Sequence, residues 1–428
     1  MELFELFALL ISLSALFSYV NHRWVKLPTT IGLMLIALVF SLALIGLGLF
    51  VPEIEQRADA IVSQVDFSET LMHGMLGFLL FAGALHINLD DLREQKWLIA
   101  ILSSLGVVIS TVVVGGLAWC VFRLLGIPVS FIYCLVFGSL ISPTDPIAVL
   151  SILKQAHAPK TLETKIAGES LFNDGVGVAV FLGLYEVAVG EHGFDLVHLS
   201  ALFVQEAIGG ALLGLVFGYI AFRMLRSVDE YSVEILISLA LSAGGFALAT
   251  AWHLSGPVAM VVAGLLIGNH GRTWAMSKTT CQHLDMFWEL VDEILNAALF
   301  VLIGLEVLVL TFTRQYLISG LLLIPCVLLA RLLAVGLPIW LQSYWKKQPP
   351  GSLQILCWGG IRGGISVALA LSIPARLHDG SVVVDREPIL TATYLIVVFS
   401  VLVQGLTIGP FIRRLLNSPQ NRASEPAE

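Results

Sequence analysis

The sequence predicts an all-α polytopic membrane protein, and three features of its composition and patterning support that fold class. Of the 428 residues, 57% are hydrophobic and only 13% are charged, whereas about a quarter of the residues in a soluble domain are charged. The apolar residues form unbroken runs of about 20, the length that an α-helix needs to cross a bilayer. These runs exclude a transmembrane β-barrel, whose strands alternate apolar and polar residues over about ten positions.

Thirteen apolar stretches predict about thirteen transmembrane helices, with ends defined to within a few residues. They are expected at 3–20, 28–50, 67–88, 97–122, 128–153, 162–188, 197–222, 231–252, 255–269, 284–312, 315–344, 352–375 and 388–412. Because this number is odd, the two termini are expected on opposite sides of the membrane.

The basic residues orient these helices. Of the 23 Lys and Arg residues, sixteen lie in loops on the side of the C-terminus and five lie in the opposite loops. Basic loops are retained in the cytoplasm, so the N-terminus is predicted outside the cell and the C-terminus inside. The two remaining basic residues, Arg331 and Arg362, fall within apolar stretches, where a charged side chain requires a partner, a water-filled cavity or a function.

One membrane domain is expected at residues 1–415, followed by a short polar cytoplasmic tail at 416–428. Residues 51–66 are interpreted as an amphipathic external segment, and the acidic N-terminus as a retained first helix rather than a signal peptide. A net charge of −8 without a basic stripe argues against nucleic-acid binding. The five cysteines show neither disulfide nor zinc spacing, and no loop is long enough for a soluble catalytic domain. The function is therefore expected within the bilayer.

The fifth predicted helix contains the sequence Ser-Pro-Thr-Asp-Pro at 142–146. Two prolines three residues apart remove backbone donors and clash with preceding carbonyls, so a continuous helix is not expected here. Irregular backbone at membrane depth is tolerated only when it is buried in protein or lines a cavity. The Thr144 carbonyl and the Asp145 carboxylate are therefore candidate cation ligands. The alternative is a simple proline kink in which Asp145 acts as a cap.

The sixth predicted helix concentrates polar residues in Gly-Glu-Ser-Leu-Phe-Asn-Asp-Gly at 168–175. Helical spacing places Ser170 and Asp174 on one face, and Glu169 and Asn173 on the neighbouring face. Oxygen atoms of this kind are the ligands that hard cations prefer. In the alternative interpretation, the two acids are purely structural and are neutralised by the two buried arginines.

The twelfth predicted helix contains Gly-Gly-Ile-Arg-Gly-Gly at 359–364. The glycine pairs around Arg362 predict a second interrupted helix. The two interrupted helices are seven apart in order, and this odd offset predicts two repeats of opposite orientation, an arrangement found in many secondary transporters. Arg331 is expected to pair with a buried carboxylate.

Other polar residues are weaker candidates. The histidines at helix ends, which are His73, His86 and His253, are expected to be hydrated structural residues rather than proton sensors. Four residues of the tenth predicted helix are candidates for lining a cavity: Asp292, Glu293, Asn296 and Glu306.

Three motifs together, SPTDP at 142–146, GESLFNDG at 168–175 and WGGIRGGISVALAL at 358–371, resemble the cation:proton antiporters, in the NhaP/NHE-like sodium/proton exchanger branch. The resemblance extends over the whole hydrophobic region. It implies a homodimer whose core and dimerisation helices are interleaved in sequence, with the two interrupted helices crossing in the core. It implies no cofactor beyond the transported Na⁺ and H⁺.

The resemblance implies that Asp174 binds a cation and a proton in turn, with Ser170 and the Thr144 carbonyl as companion Na⁺ ligands. The sequence departs from the archaeal-type pattern in its third helix, where Ala82 of FLLFAGAL stands in place of a glutamate. Because alanine cannot coordinate a cation, the preference among Na⁺, Li⁺ and K⁺ stays open.

The resemblance also implies structural roles for the neighbouring polar residues. Asn173 and Asp145 are expected to form the polar pair that stabilises the crossing, Glu169 and Arg362 an ion bridge, and Arg331 a further core arginine. Electrogenic relatives carry a second aspartate where this chain has Asn173, so exchange is expected to be electroneutral.

The expected function is secondary active antiport of a monovalent cation, first of all Na⁺, against H⁺ by alternating access in the cell membrane. Burial disfavours the charged form of a carboxylate, so a proton or a cation each neutralises the site and permits the core to move. The alternatives are a K⁺/H⁺ exchanger of the same fold, an intramembrane hydrolase that uses Asp145 and Asp174 as a dyad, and a channel, which would require a continuous polar pore.

Overall fold

The computed structural model describes residues 3–48, 50–51, 67–155, 158–190, 196–310, 313–343, 351–376 and 382–416. Within these ranges most residues are helical, which confirms the predicted all-α class. We number the main helices as α1 Leu3–Val20, α2 Thr29–Gly48, α3 Phe67–Leu85, α4 Leu89–Ser103, α5 Leu105–Leu124, α6 Phe131–Ile141, α7 Ile147–Gln155, α8 Lys160–Val189, α9 Leu196–Leu225, α10 Tyr231–Ala251, α11 Gly256–Leu266, α12 Lys278–Leu305, α13 Arg314–Ser343, α14 Ser352–Trp358, α15 Gly364–Leu371, α16 Arg386–Phe399 and α17 Gly405–Leu416.

The predicted apolar stretches each overlap one of these helices or a pair of them. In the part of the chain that the structure describes, eight helical segments are long and apolar enough to cross a membrane by length and composition alone. The count of thirteen crossings and the inverted repeat stay predictions. The predicted external segment at 51–66, apart from Val51, and the predicted tail at 416–428, apart from Leu416, lie outside the described residues.

One basic residue is not where the orientation argument places it. Lys165, one of the sixteen basic residues assigned to loops, lies inside α8 and is only 2% exposed. It therefore carries no information about orientation, and the orientation of the termini stays a prediction.

The chain divides into two compact units, each built from two separate stretches of sequence. The first unit comprises Met1–Asn88 and Ser200–Thr311, and the second comprises Leu89–Leu199 and Phe312–Glu428. Both interrupted helices belong to the second unit.

In the first unit, α2 packs against α12, and α3 packs against α11. Trp288 of α12 is fully buried, with its ring 4.8 Å from Phe81 and 6.2 Å from Phe78 between centroids. Its indole Nε1 donates a hydrogen bond of 3.0 Å to Ser238 Oγ on α10. A large buried aromatic side chain whose polar atom is satisfied thus anchors α12 to two neighbouring helices.

In the second unit, α5 packs closely against α6 and α13, while α8 packs against α4 and α6. Gly138 of α6 lies directly against the backbone carbonyl of Thr111 on α5, closer than a side chain at this position would permit. The missing Cβ lets the two backbones approach, which is a common use of small residues in membrane helix packing. This contact holds α6 three residues before it ends.

Candidate ion-binding site

The first interruption lies between α6 and α7, at residues 142–146. Pro143 and Pro146 end the helical hydrogen-bonding pattern here, as their chemistry requires. The carboxylate of Asp145 accepts a hydrogen bond of 2.9 Å from the Ile147 N–H, so it caps the start of α7. The break and the cap by Asp145 are thus both present, and the role of Asp145 as a cation ligand stays a prediction.

The second interruption lies between α14 and α15, at residues 359–363. The two interruptions meet, since the Asp145 N–H donates to the Ile361 carbonyl at 2.8 Å. Gly363 is required at this contact, because a Cβ there would lie 2.5 Å from Asp145 Oδ2. The negative carboxylate therefore lies at the N-terminal ends of both α7 and α15, where the helix dipoles favour an anion.

Helix α8 brings its polar face to the first interruption. Thr144 Oγ1 lies 2.9 Å from Ser170 Oγ, and Asn173 Nδ2 donates to Thr144 Oγ1 at 2.9 Å. The Thr144 N–H donates in return to Asn173 Oδ1 at 3.4 Å. The structure therefore brings together three of the predicted site residues, and Asn173 orients Thr144 instead of pairing directly with Asp145.

Asp174 lies one helical turn beyond Ser170 on the same face of α8 and is 7% exposed. Among the described residues its carboxylate forms no hydrogen bond or ion pair. A buried, unpaired carboxylate is costly at membrane depth, and a bound proton or cation lowers that cost. Ser170 on that face has its hydroxyl in hydrogen-bond contact with the Thr144 hydroxyl, so neutral oxygens of the kind that hard cations accept are grouped here. The structure thus adds the Thr144 hydroxyl to the Thr144 carbonyl that the sequence predicts as a ligand.

The predicted bridge between Glu169 and Arg362 is wrong. Glu169 pairs instead with Arg331 of α13, through Nη1 to Oε1 and through Nη2 to Oε2 at 2.9 Å. Both side chains are buried, and Arg331 also donates to the Leu356 carbonyl at 3.0 Å from Nη2. This parallel, two-bond geometry is the arrangement that guanidinium and carboxylate groups favour.

Arg362 has a different role. Its Nη1 donates to the carbonyls of Ser142 at 2.6 Å and Pro143 at 3.1 Å, immediately beyond the last turn of α6. These carbonyls have no partner within the helix and carry the negative end of its dipole. A cation at this position satisfies both, so Arg362 stabilises the first interruption and leaves Glu169 to Arg331.

A model of the transmembrane sodium/hydrogen exchangers matches residues 11–414. The chain belongs to the sodium/hydrogen exchanger family. This exchanger is 51% identical over 428 residues to the Na⁺/H⁺ antiporter NhaP of Pseudomonas aeruginosa, a match that covers 99% of each protein. It is 35% identical over 398 residues to the Na⁺/H⁺ antiporter NhaH of Halobacillus dabanensis, covering 92% of this chain and 93% of that protein.

The solved structure of the sodium proton antiporter MjNhaP1 from Methanocaldococcus jannaschii shares the fold of this exchanger. The TM-score is 0.74 at 20% identity, and the match covers 98% of this chain and 100% of that chain. The relatives are named as antiporters, so the family consists of transporters rather than enzymes, and the hydrolase interpretation is not supported. The exchanger is a multi-pass membrane protein.

The weaker candidates of the sequence lie in the first unit of the exchanger. Ala82 is buried in α3 and offers no ligand. His86 Nδ1 lies 3.9 Å from the Asp285 carboxylate, and His253 follows α10 with a positive φ of 54°. The side chain of His73 is outside the described residues. Of the four candidates in the tenth predicted helix, Asn296 and Glu306 are buried. Asp292 is half-buried, and Glu293 is exposed.

Sequence reasoning missed one buried acid in this exchanger. Glu234 of α10 is fully buried and accepts a hydrogen bond of 2.6 Å from Thr280 Oγ1 on α12. It lies near the start of a predicted helix, where a glutamate is ordinarily hydrated, so its burial could not be predicted from its position. The available signal was the spacing of four to Ser238, which places both polar side chains on one helical face.

Proposed function

We propose that this exchanger is a secondary active antiporter that carries one Na⁺ against one H⁺ by alternating access around Asp174. The observation that carries the proposal is the buried Asp174 carboxylate, which has no partner in the described residues and lies on the same face of α8 as Ser170. The similarity over full length to two proteins named as Na⁺/H⁺ antiporters supports the choice of ions.

The physical basis is competition for one buried charge. Burial penalises the ionised carboxylate, and either a proton or a cation removes that penalty. Na⁺ is a hard cation and gains from the Asp174 carboxylate together with the neutral oxygens of Ser170 and Thr144. The site is neutral when either ion is bound, so the surrounding helices can move without carrying a bare charge through apolar surroundings.

The stoichiometry follows from what the other acids do. Glu169 is committed to Arg331, and Asp145 caps α7. The neighbour of Asp174 is Asn173, an amide that cannot release a proton at physiological pH. One carboxylate is then free to change protonation, so one proton moves for each monovalent cation and the cycle is electroneutral.

The decisive experiment measures cation-driven proton flux in proteoliposomes with Na⁺, Li⁺ and K⁺ in turn, at several clamped membrane potentials. The wild-type protein should exchange at a rate independent of voltage, and Asp174→Asn should not exchange, because an amide keeps the shape but cannot bind the ions in turn. Glu94→Gln, which removes an exposed acid of α4, is the matched control and should be normal. Flux through Asp174→Asn would remove that residue from the mechanism, and a steady-state current would require a second titrating group.

The same assay decides between Na⁺ and K⁺ as the main cation. Ala82 supplies no carboxylate, so the proposed ligand set carries a single negative charge. A site with one negative charge favours the K⁺/H⁺ alternative more than a site with two carboxylates would. A maximal rate with K⁺ and none with Na⁺ would establish that alternative.

We propose further that the exchanger is a homodimer in the cell membrane with its N-terminus outside and its C-terminus in the cytoplasm. In a variant without the five native cysteines, a single cysteine placed after Arg414 should react with an impermeant reagent only from the cytoplasmic side. Labelling from outside would overturn the orientation. Native mass spectrometry of the detergent-solubilised protein should give the mass of two chains, and a single chain would refute the dimer.

A further inference from the structure

The adjacent residues Asp385 and Arg386 lie at the start of α16. They contact the outer ends of the two interrupted helices, which are the start of α6 and the segment after α15. Asp385 Oδ1 accepts a hydrogen bond of 2.9 Å from the backbone N–H of Ser130, which lies 255 residues away in sequence. Ser130 is the residue immediately before α6, and its own hydroxyl does not cap the helix. The carboxylate therefore satisfies the N–H of the N-cap residue, as the glutamate of a capping box does, and faces the positive end of α6.

Arg386 makes the complementary contact. Its Nε donates to the Ile373 carbonyl at 2.7 Å, two residues beyond the end of α15. The negative end of α15 therefore faces a cation, just as the positive end of α6 faces an anion. Two neighbouring residues of opposite charge thus hold the outer ends of both interrupted helices.

Helix α6 is consequently held at both ends by residues that come much later in the chain. Arg362 binds the carbonyls of Ser142 and Pro143 at one end, and Asp385 binds the Ser130 N–H at the other. The helix has 11 residues, so it is about 16 Å long. A short hydrogen-bonded helix moves largely as one body, so a displacement at Ser130 shifts Ile141, the last residue of α6, and with it the adjoining interruption that contains Thr144.

We propose that Asp385 and Arg386 form a clamp that fixes α6 relative to α15 and thereby sets the position of Thr144 beside Asp174. Both are positioning residues, since among the described residues their hydrogen bonds go to Ser130, Ile373 and Glu387 and not to Thr144, Ser170 or Asp174. The proposal rests on the proposed exchange at Asp174. Loss of the clamp displaces a cation ligand, so its main effect falls on the apparent affinity for Na⁺.

The test compares the KM for Na⁺ and the maximal rate of exchange in proteoliposomes. Asp385→Ala should raise the KM about tenfold, equivalent to about 1.4 kcal/mol, while Asp385→Asn should raise it only about threefold, because its amide oxygen still accepts a hydrogen bond but lacks the charge. Ser130→Pro removes the donor from the other side, and the native φ of −69° fits proline. It removes the hydrogen bond but keeps the charge of Asp385, so it should raise the KM by no more than Asp385→Ala does, and adding it to Asp385→Ala should change nothing further.

A KM equal to wild type in any folded variant that lacks this hydrogen bond overturns the clamp, even when its melting temperature falls. KM increases that multiply in the double variant would also overturn it, because they would show that the two groups act independently. If Asp385→Ala gives no folded protein, Ser130→Pro decides. Asp174→Asn in the same vesicles separates the two proposals. If Asp174→Asn does not exchange and Asp385→Ala has a normal KM, only the clamp is refuted. If Asp174→Asn does exchange, the proposed site at Asp174 is refuted.

Discussion

Removing Arg331 should destabilise this exchanger because it strands a buried charge. Glu169 is 1% exposed, and Arg331 contributes both hydrogen bonds to its carboxylate. In Arg331→Ala the carboxylate stays buried without its counter-ion, and breaking a buried pair from one side costs about 3–5 kcal/mol. The pair itself contributes less than this figure, since much of the cost is the desolvation of the partner left behind.

Because most of the cost comes from the unpaired carboxylate, removing its charge provides the control. In the double variant Arg331→Ala with Glu169→Gln, no buried charge remains unpaired, so most of the lost stability should return. Arg362→Ala should also destabilise, since it leaves the Ser142 and Pro143 carbonyls without their charged donor. Glu169→Gln should not rescue that variant, because Glu169 is not the partner of Arg362.

The assay is denaturation of the detergent-solubilised protein, followed by tryptophan fluorescence, for the wild type, the three single variants and the two double variants. A double-mutant cycle should give a coupling energy of about 3 kcal/mol or more between Glu169 and Arg331 and close to zero between Glu169 and Arg362. The pairing is refuted if Glu169→Gln restores Arg362→Ala, or if it leaves Arg331→Ala unchanged.

Two further predictions concern packing and pH. Gly177 of α8 lies so close to the Pro143 ring that a Cβ would overlap it, so Gly177→Ala should lower the free energy of unfolding by about 1–3 kcal/mol and weaken Na⁺ binding in a flux assay. Gly116→Ala on α5, where nothing lies near the added carbon, should have neither effect. Equal effects of the two substitutions would contradict the packing argument. Burial raises the pKa of Asp385 above its ordinary value of 3.8, against the lowering effect of the hydrogen bond from Ser130. The unfolded chain then releases this proton at lower pH than the folded protein does. The free energy of unfolding should therefore fall as pH rises above 3.8 through the folded pKa. Melting curves measured over this pH range would contradict the prediction if Asp385→Asn showed the same change of stability with pH as the wild type.

The sequence by itself determined the class of the protein and the places where its helices break. Apolar runs of about 20 residues leave no other fold in a bilayer, and the effect of Pro143 and Pro146 on a helix is local, so it does not depend on what packs nearby. The shared face of Ser170 and Asp174 follows from helical periodicity alone. These features depend on residues close together in the chain, which is why they were predictable.

Only the tertiary structure decided which residues are partners. Two buried arginines were available to Glu169, and nothing in the sequence distinguishes Arg331, 162 residues away, from Arg362. The choice depends on how α13 packs against its neighbours and on the free carbonyls at the end of α6, which already bind Arg362. The contact between Asp385 and Ser130 spans 255 residues and leaves no periodic signal. Charged side chains pair when they are close in space, and which of them are close is decided only when the helices pack together.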